Sequence, residues 1–158
     1  TSGGTSTLPE TYRGKLRQLD YKTIRYKGHC AKMKAIFDVG MCSEDAVNVG
    51  SCQVKPRDVL SRVLERILPH EEKDMVLLRV IARGKAEKIY EMIDYYDEDL
   101  RMTAMARTTA FPTSIIAQMI ANGTITERGA FPPERVVPGK RFIEHLKERK
   151  IMIYEKSQ

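Results

Sequence analysis

The sequence predicts an α+β fold in which helices pack on one face of a mainly antiparallel or mixed sheet. Three observations predict this class. Two adjacent β-forming segments indicate a hairpin, several segments carry apolar residues at helical spacing, and no repeat or linker interrupts them. At 158 residues the chain has the length of one domain and can bury its own core. We therefore predict a single domain over residues 1–158.

The first 11 residues predict a tight loop that a ligand can approach closely. Gly3 and Gly4 permit backbone conformations that a Cβ forbids. Thr5 and Ser6 begin a run of hydroxyl side chains that offers short donors and acceptors. On these residues alone, the alternative is a flexible terminus or a remnant of cloning.

A strand and a helix follow, separated by a turn. Residues 19–26 alternate and are rich in β-forming side chains, which predicts a strand that Gly28 ends. Apolar residues at helical spacing predict a helix over 29–39, with Gly40 as its C-terminal stop. Residues 41–55 are irregular and predict a loop with a short strand.

Pro56 opens the clearest helix, because the fixed φ of proline suits a first helical turn. A broad apolar stripe runs along this helix, and Pro69 ends it. We expect this stripe to belong to the core. Its members are Val59, Leu60, Val63, Leu64, Ile67 and Leu68.

Residues 75–83 and 88–96 predict the two strands of an antiparallel hairpin, with a turn at 84–87. The first strand is almost continuously apolar. Six acidic residues lie within or directly beside the second strand, which is typical of a solvated edge: Glu87, Glu91, Asp94, Asp97, Glu98 and Asp99.

The remaining segments predict two helices and a closing strand. A small-residue helix is expected over 103–122. Residues 131–134 are expected to have no regular structure, because neither proline can donate a hydrogen bond. A helix over 139–149 and a strand over 151–154 complete the domain.

The whole net charge of +6 comes from the first 34 residues, which hold eight basic residues against two acidic ones. Such a stretch attracts anionic ligands or nucleic acid, or forms a solvated face. No nucleic-acid-binding signature accompanies it, so no nucleic-acid partner is expected. The cations of this basic stretch are Arg13, Lys15, Arg17, Lys22, Arg25, Lys27, Lys32 and Lys34.

Composition also bears on membranes, metals and compartment. No apolar run approaches the length that crosses a bilayer, so no membrane partner is expected. Cys30, Cys42 and Cys52 form no CxxC pair, and the three histidines form no HxxxH pair. We therefore expect no metal site and no disulfide framework, and we place the protein in the reducing cytoplasm.

The start of the helix over 103–122 suits an anion. Thr103 can cap it, and the free N–H groups of the first turn favour a carboxylate or phosphate. Arg107 can form a bidentate pair with a carboxylate. Pro112 frees the carbonyl of Thr108. These features indicate either a ligand site or an ordinary packed helix with a tolerated kink.

Arg25 and His29 flank the turn at Gly28. An imidazole can exchange a proton near neutral pH, so His29 is either a catalytic group or a structural residue at the start of its helix. None of the motifs GxGxxG, GxxxxGK[ST] and GxSxG occurs, so the chain lacks the usual Gly-rich turn for a dinucleotide.

Five segments, in this order, resemble the C-terminal half of the saccharopine dehydrogenase-like family. They are GGTSTLPET, YKTIRYKGH, DMVLLRVIARGK, MTAMARTTAFPTSIIAQMIANGTI and GAFPPE. That family includes saccharopine dehydrogenase, lysine 6-dehydrogenase and carboxynorspermidine dehydrogenase. The resemblance implies that an N-terminal Rossmann domain, absent from this chain, binds NAD or NADP. It also implies that this domain binds a small amino-acid substrate and forms a homodimer through the sheet.

The resemblance further implies which residues face the substrate, with the arginines holding carboxylates. Those residues are Gly3, Gly4, Thr5, Ser6, Arg25, Thr103, Arg107 and Thr108. No residue of this chain is expected to bind the cofactor.

The implied reaction is hydride transfer between the C–N carbon of a lysine- or saccharopine-type amino acid and nicotinamide, followed by hydrolysis of the imine. His29 is the candidate general base, with a group of the N-terminal domain as the alternative, and the domain alone is expected to be inactive. Two rival readings stay open. One is a non-catalytic module for dimerisation or anionic ligands, and the other is a nucleic-acid-binding domain built on the basic stretch.

Overall fold

A computed structural model describes residues 3–68 and 73–157 of the chain. In chain order its elements are α1 (Leu8–Thr11), α2 (His29–Asp38), β1 (Val47–Val49), β2 (Cys52–Val54), α3 (Pro56–Ile67), β3 (Met75–Arg83), β4 (Glu87–Tyr95), α4 (Ala104–Ala121), α5 (Pro133–Val136), α6 (Gly139–Glu148) and β5 (Ile153–Ser157). The contacts of the described residues group into two compact units. The larger unit holds the described residues up to Lys22 and from Lys73 onwards, and the smaller unit holds those between them.

The larger unit is built on a three-stranded antiparallel sheet in the order β3-β4-β5. Residues on β3 and β4 pair in an unbroken register from Met75 with Tyr95 to Arg83 with Glu87. α4 packs against both of these strands and against α6. Helices and antiparallel strands in one unit confirm the predicted α+β class.

The core of the larger unit lies between one face of the sheet and the two long helices. Met92 on the central strand is buried, and Val76 and Ile153 on its neighbours pack against the same cluster. The apolar face of α4 contributes the buried Ile115 and Met119 and the partly buried Phe111 and Ile116, and the burial of this face is why the helix forms here despite its internal proline. The buried members of the cluster are Met92, Ile115, Met119, Ile125, Leu146 and Ile151.

The smaller unit contains α2, the β1-β2 hairpin and α3, and none of its described residues is buried. The predicted core position of the α3 stripe is therefore wrong. Val59, Val63 and Ile67 are all exposed. Helical spacing of apolar residues predicts which face of α3 is apolar, but what covers that face depends on the rest of the fold. The predicted end of the helix at Pro69 lies outside the described residues.

The strand predicted over residues 19–26 is absent, and this segment has no regular structure. Alternation favours a strand only where another strand can pair with it. β1 pairs with β2, and β4 pairs with both β3 and β5. Among the described residues, no strand pairs with this segment. The segment also crosses from the larger unit to the smaller one between Lys22 and Thr23.

The prediction that residues 131–134 have no regular structure is wrong for the last two of them, because Pro133 and Glu134 belong to the one-turn helix α5. A proline at the first helical position costs no hydrogen bond, since the N–H of that position has no partner within the helix. Pro132 precedes the helix in an extended conformation, as expected before a proline.

The other elements were predicted to within a few residues. α2 begins directly after Gly28, whose φ of +84° is open to glycine at little cost. α3 begins at Pro56, and the hairpin of β3 and β4 forms where predicted. Residues 41–55, predicted to hold one short strand, hold the β1-β2 hairpin. No helix of the described residues is long and apolar enough to cross a membrane.

Candidate functional site

The predicted N-terminal loop is a short 3-10 turn over Gly3–Thr5, followed by α1. The close approach predicted at Gly4 is made by the ring of Tyr21. A Cβ at Gly4 would clash with three atoms of that ring. Among the described residues, the hydroxyls of Thr5 and Ser6 have no hydrogen-bond partner. Glycine is therefore required at position 4 because the ring of Tyr21, a residue of this same chain, packs against it.

A cavity of about 250 Å³ lies beside this segment. Its wall combines apolar groups with one predicted site residue, Thr5, and one cation of the basic stretch, Arg13. The remaining lining residues are Pro9, Tyr12, Gly14, Leu16 and Leu19.

The hydroxyls of Thr7 and Thr11 hold the carboxylate of Glu134. Each donates a hydrogen bond of 2.8 Å to Oε1 of Glu134. Thr7 precedes α1 and Thr11 ends it, so their spacing of four residues puts both hydroxyls on one helix face. Glu134 lies in the first turn of α5, after Pro133. The family resemblance included Pro133 and Glu134, but the sequence analysis assigned them no role. The four-residue spacing of Thr7 and Thr11 was the signal that could have indicated a shared partner for the two hydroxyls.

These contacts favour the ionised form of Glu134. The hydrogen bond from Thr11 is the main cause that lowers the pKa of Glu134, and its own backbone N–H, Thr7 and Arg135 lower it further. Partial burial acts in the opposite direction. The carboxyl therefore stays a carboxylate near neutral pH.

We expect the difference in unfolding free energy between the wild-type protein and the Glu134→Gln variant to shrink as the pH falls. The threonine hydroxyls stabilise the carboxylate only in the folded state, so its folded pKa lies below the unfolded value of about 4.3. Stability from such a group is present above the unfolded pKa and is lost as the pH falls through the folded pKa. Urea titrations from about pH 7 to about pH 3 measure this. A difference that stays constant over that range contradicts the stabilisation of Glu134 as an anion.

The predicted anion site at the start of α4 is filled by Asp74 of this chain. The carboxylate of Asp74 accepts hydrogen bonds from the backbone N–H groups of Ala104 and Met105. Thr103 caps the helix as predicted, since its Oγ1 accepts the N–H of Ala106 at 3.0 Å. The backbone N–H groups of Ala104 and Met105, which have no partner within the helix, are thus satisfied by Asp74, the residue directly before β3.

Arg107, predicted to hold a substrate carboxylate, is 3% exposed and pairs with carboxylates of this chain. Its Nε donates to Asp94 at 3.0 Å and its Nη1 donates to Asp97. Its Nη2 reaches Asp94 and the carbonyl of Arg149, both at 3.3 Å. Four of its five N–H donors are therefore engaged, which is the geometry of a buried structural ion pair.

Thr108, the third predicted site residue of α4, faces its own helix. Its Oγ1 donates to the carbonyl of Ala104 at 2.8 Å, a bond that hydroxyl side chains often make inside helices. α4 thus brings Thr103, Arg107 and Thr108 together at its start. Each of the three makes hydrogen bonds to groups of this chain.

The two predicted site residues of the smaller unit are solvent-exposed. The backbone N–H of His29 donates to the carbonyl of Tyr26 at 3.1 Å. The side chains of Arg25 and His29 make no hydrogen bond or ion pair to any described residue. In the basic stretch, only Lys22 and Lys34 form ion pairs with described residues, to Asp20 and Asp38. The charge of Arg25 is therefore available to a ligand.

The smaller unit also carries a cleft of about 660 Å³ between the β1-β2 hairpin and α3. Val54, Val59 and Val63 make its wall apolar. Three cations and one carboxylate also line it: Lys55, Arg62, Arg66 and Asp58. Sequence reasoning assigned none of these residues to a site.

The face of the β3-β4-β5 sheet that lies opposite the core is largely apolar and uncovered by described residues. Register and alternation place on it Met75, Leu77, Ile81, Ile89, Ile93, Tyr95 and Tyr154, which we call the open face. All of these except Ile89 are exposed. Its centre carries one charged cluster, in which Glu91 pairs with Arg79 and Lys156. Those two cations lower the pKa of Glu91, with Lys156 the larger cause.

The larger unit thus combines an α+β arrangement and antiparallel pairing with a largely apolar sheet face that no described residue covers. The chain belongs to the saccharopine dehydrogenase C-terminal domain family, whose sequence model matches residues 3–151. This confirms the predicted resemblance. The family is one of NAD(P)-dependent dehydrogenases, so the chain is an oxidoreductase-associated domain.

The residues of this chain do not fit the dinucleotide cofactor of that family. Dinucleotide sites place the pyrophosphate on a Gly-rich turn between a parallel strand and a helix. The sequence contains no GxGxxG motif, and every strand pairing among the described residues is antiparallel. The helix start that could have received a phosphate, that of α4, already binds Asp74.

Proposed function

We propose that this chain is the substrate-binding and dimerisation domain of an NAD(P)-dependent oxidoreductase that acts on the C–N bond of a lysine- or saccharopine-type amino acid. The observation that carries the proposal is the family match over residues 3–151. In this proposal the cofactor is held by a separate dinucleotide-binding domain, because the residues of this chain do not fit it.

Arg25 is the proposed receptor for a substrate carboxylate. Its guanidinium is exposed and unpaired among the described residues, whereas that of Arg107 is buried against Asp94 and Asp97. A guanidinium binds a carboxylate through two parallel hydrogen bonds, which fixes the orientation of the ligand as well as its affinity. His29 is the proposed general base, because an imidazole exchanges protons near neutral pH and this one is exposed at the start of α2.

The open face is the proposed dimer interface, with a second copy of this chain as its occupant. A two-fold axis places the same patch on both partners, so an apolar patch can cover itself. The charged cluster at its centre keeps only one net positive charge per copy, because Glu91 pairs with both Arg79 and Lys156. Exposed apolar patches of this kind typically mark association surfaces.

We expect Arg25→Ala, in the enzyme that contains this domain, to raise KM for the amino-acid substrate about tenfold to a hundredfold. The expected factor corresponds to one hydrogen-bonded charge contact of about 1.5–3 kcal/mol. kcat should change little, because a contact made equally in the ground and transition states affects KM alone. Steady-state kinetics with the amino acid and with its carboxamide measure the effect.

Two comparisons make this test specific. Arg128→Ala removes another exposed arginine outside the basic stretch and should leave KM unchanged. The carboxamide substrate should be affected much less by Arg25→Ala than the free acid. A KM for the free acid that does not respond to Arg25→Ala contradicts this part of the proposal.

A further inference from the structure

The cleft of about 660 Å³ between α3 and the β1-β2 hairpin lies entirely within the smaller unit, and we call it the α3 groove. Its lining residues on α3 recur at every fourth position. Asp58, Arg62 and Arg66 form one row along the helix, and Val59 and Val63 form a second row beside it. The first row extends over about 12 Å of α3. The groove therefore has the repeat of a helix face.

The apolar row of the α3 groove is not used by the packing of its own unit. Leu60 and Leu64, on the neighbouring side of α3, are half-buried, whereas Val59 and Val63 are exposed. The apolar stripe of α3 is thus wider than the part that the smaller unit covers. Apolar surface left exposed in this way, beside polar groups, typically marks a place where another molecule binds.

The charged side chains of the α3 groove are mainly cations. Lys55, Arg62 and Arg66 line it, against the carboxylate of Asp58. Lys55 and Arg66 form no ion pair with any described residue. Arg62 pairs with Glu65 at 2.9 Å, but both side chains are largely exposed, and such pairs contribute little stability. The groove therefore offers three cations to an anionic partner.

The two rows are complementary to a helix that carries an apolar row beside an acidic one. Helices bind in grooves through apolar residues three or four positions apart, and charges beside them select the partner. A small molecule is usually enclosed over most of its surface, but this groove is open along its length, since Val59 and Val63 remain exposed. Nucleic acids bind mainly through their phosphates, which the valines cannot contact favourably.

We propose that the α3 groove binds an acidic amphipathic helix of another polypeptide chain. The apolar residues of that helix contact Val59 and Val63, and its carboxylates pair with Arg62 and Arg66. Among the described residues, each helix of ten or more residues carries a net positive charge, so a second copy of this chain does not supply an acidic helix. None of the groove residues belongs to the predicted substrate site, so this interaction is separate from the proposed catalytic role.

Fluorescence anisotropy tests the interaction with the full 158-residue chain and three labelled synthetic peptides of about 18 residues, a length at which an isolated helix can form. The acidic peptide has Leu at every third or fourth position, Glu beside each Leu, and Ala elsewhere. The basic peptide has Lys in place of each Glu, and the broken peptide is the acidic one with a central proline. The acidic peptide should bind at least about tenfold more tightly than either of the others.

Matched variants of α3 locate the binding. Arg66→Glu should weaken binding of the acidic peptide at least about tenfold, whereas Arg57→Glu, the same change of charge outside the groove, should weaken it about twofold or less. Val63→Asp should also weaken it at least about tenfold, and Ser61→Asp, on another side of α3, about twofold or less. All four side chains are exposed, so the variants should keep the fold, which circular dichroism checks.

The proposal is overturned if the acidic peptide does not bind, or if the basic and broken peptides bind as tightly. It is also overturned if Arg57→Glu weakens binding as much as Arg66→Glu, because that is the result of a general attraction between opposite charges. Vesicles of phosphatidylcholine and phosphatidylserine test a membrane as the occupant. Vesicle binding that Val63→Asp abolishes, without binding of the acidic peptide, assigns the groove to a lipid surface instead.

Discussion

Arg107→Ala is expected to lower the free energy of unfolding by about 3–5 kcal/mol. The substitution leaves the side chains of Asp94 and Asp97, which are 8% and 13% exposed, without their cation. An unpaired buried carboxylate has lost its hydration without gaining a partner, and that is the main source of the cost. The variant also loses the contact between the guanidinium and the ring of Phe111, whose centroid lies 5.7 Å away. Domains of this size have a total stability of about 5–15 kcal/mol.

Chemical denaturation monitored by circular dichroism measures this effect, and three other variants complete the experiment. Arg107→Lys keeps the charge but not the fork of donors, so it should give an intermediate loss. Asp97→Asn removes one partner and should be milder, which keeps the test informative if Arg107→Ala does not fold. Arg57→Ala breaks an exposed ion pair with Glu44 and should cost less than about 1 kcal/mol. A loss below about 1 kcal/mol for Arg107→Ala would mean that the pair does not stabilise the fold.

Leu77→Glu is expected to convert the proposed dimer into monomers. Leu77 lies on the open face, where the two-fold axis brings the same face of the partner against it. A carboxylate inserted into an apolar contact must be desolvated without a partner. Because the symmetry introduces it twice, we expect a weakening of at least a hundredfold, about 2.7 kcal/mol. Sedimentation equilibrium over a range of protein concentrations measures the association.

The neighbouring residue on the same strand supplies the matched control. Leu78 is 44% exposed against 45% for Leu77, but it projects from the other face of the sheet. Leu78→Glu should therefore leave the dimer intact. Equal dissociation in both variants would indicate a general disturbance of β3, and a dimer that survives Leu77→Glu would exclude the open face as its interface.

The elements that sequence reasoning predicted are those whose causes lie within a few residues. Gly28 and Pro56 determine where α2 and α3 begin, because each sets the backbone at its own position. The hairpin of β3 and β4 follows from two β-forming segments and a short turn. The strand predicted over residues 19–26 did not form, since a strand also needs a partner elsewhere in the chain. The α3 stripe was apolar as predicted but not buried, for the same reason.

The candidate site shows the same limit at the level of single side chains. The family resemblance gave Arg25 and Arg107 the same role, that of holding a substrate carboxylate. The structure separates them, since Asp94 and Asp97 approach Arg107 through the packing of β4 and the loop after it against α4. Asp74 likewise reaches the start of α4 from 30 residues away. Glu134 was missed because its partners lie at the other end of the chain.

The contact between Thr7 and Glu134 spans 127 residues, and this separation bears on the order in which the protein acquires its structure. During synthesis the segment around Thr7 leaves the ribosome before Glu134, whose carboxylate holds it, has been made. Closing so long a loop costs entropy that the two hydroxyl contacts must offset, so they form late in folding. The segment around Thr7 is therefore among the last parts of the larger unit to find its place, although it is made well before Glu134.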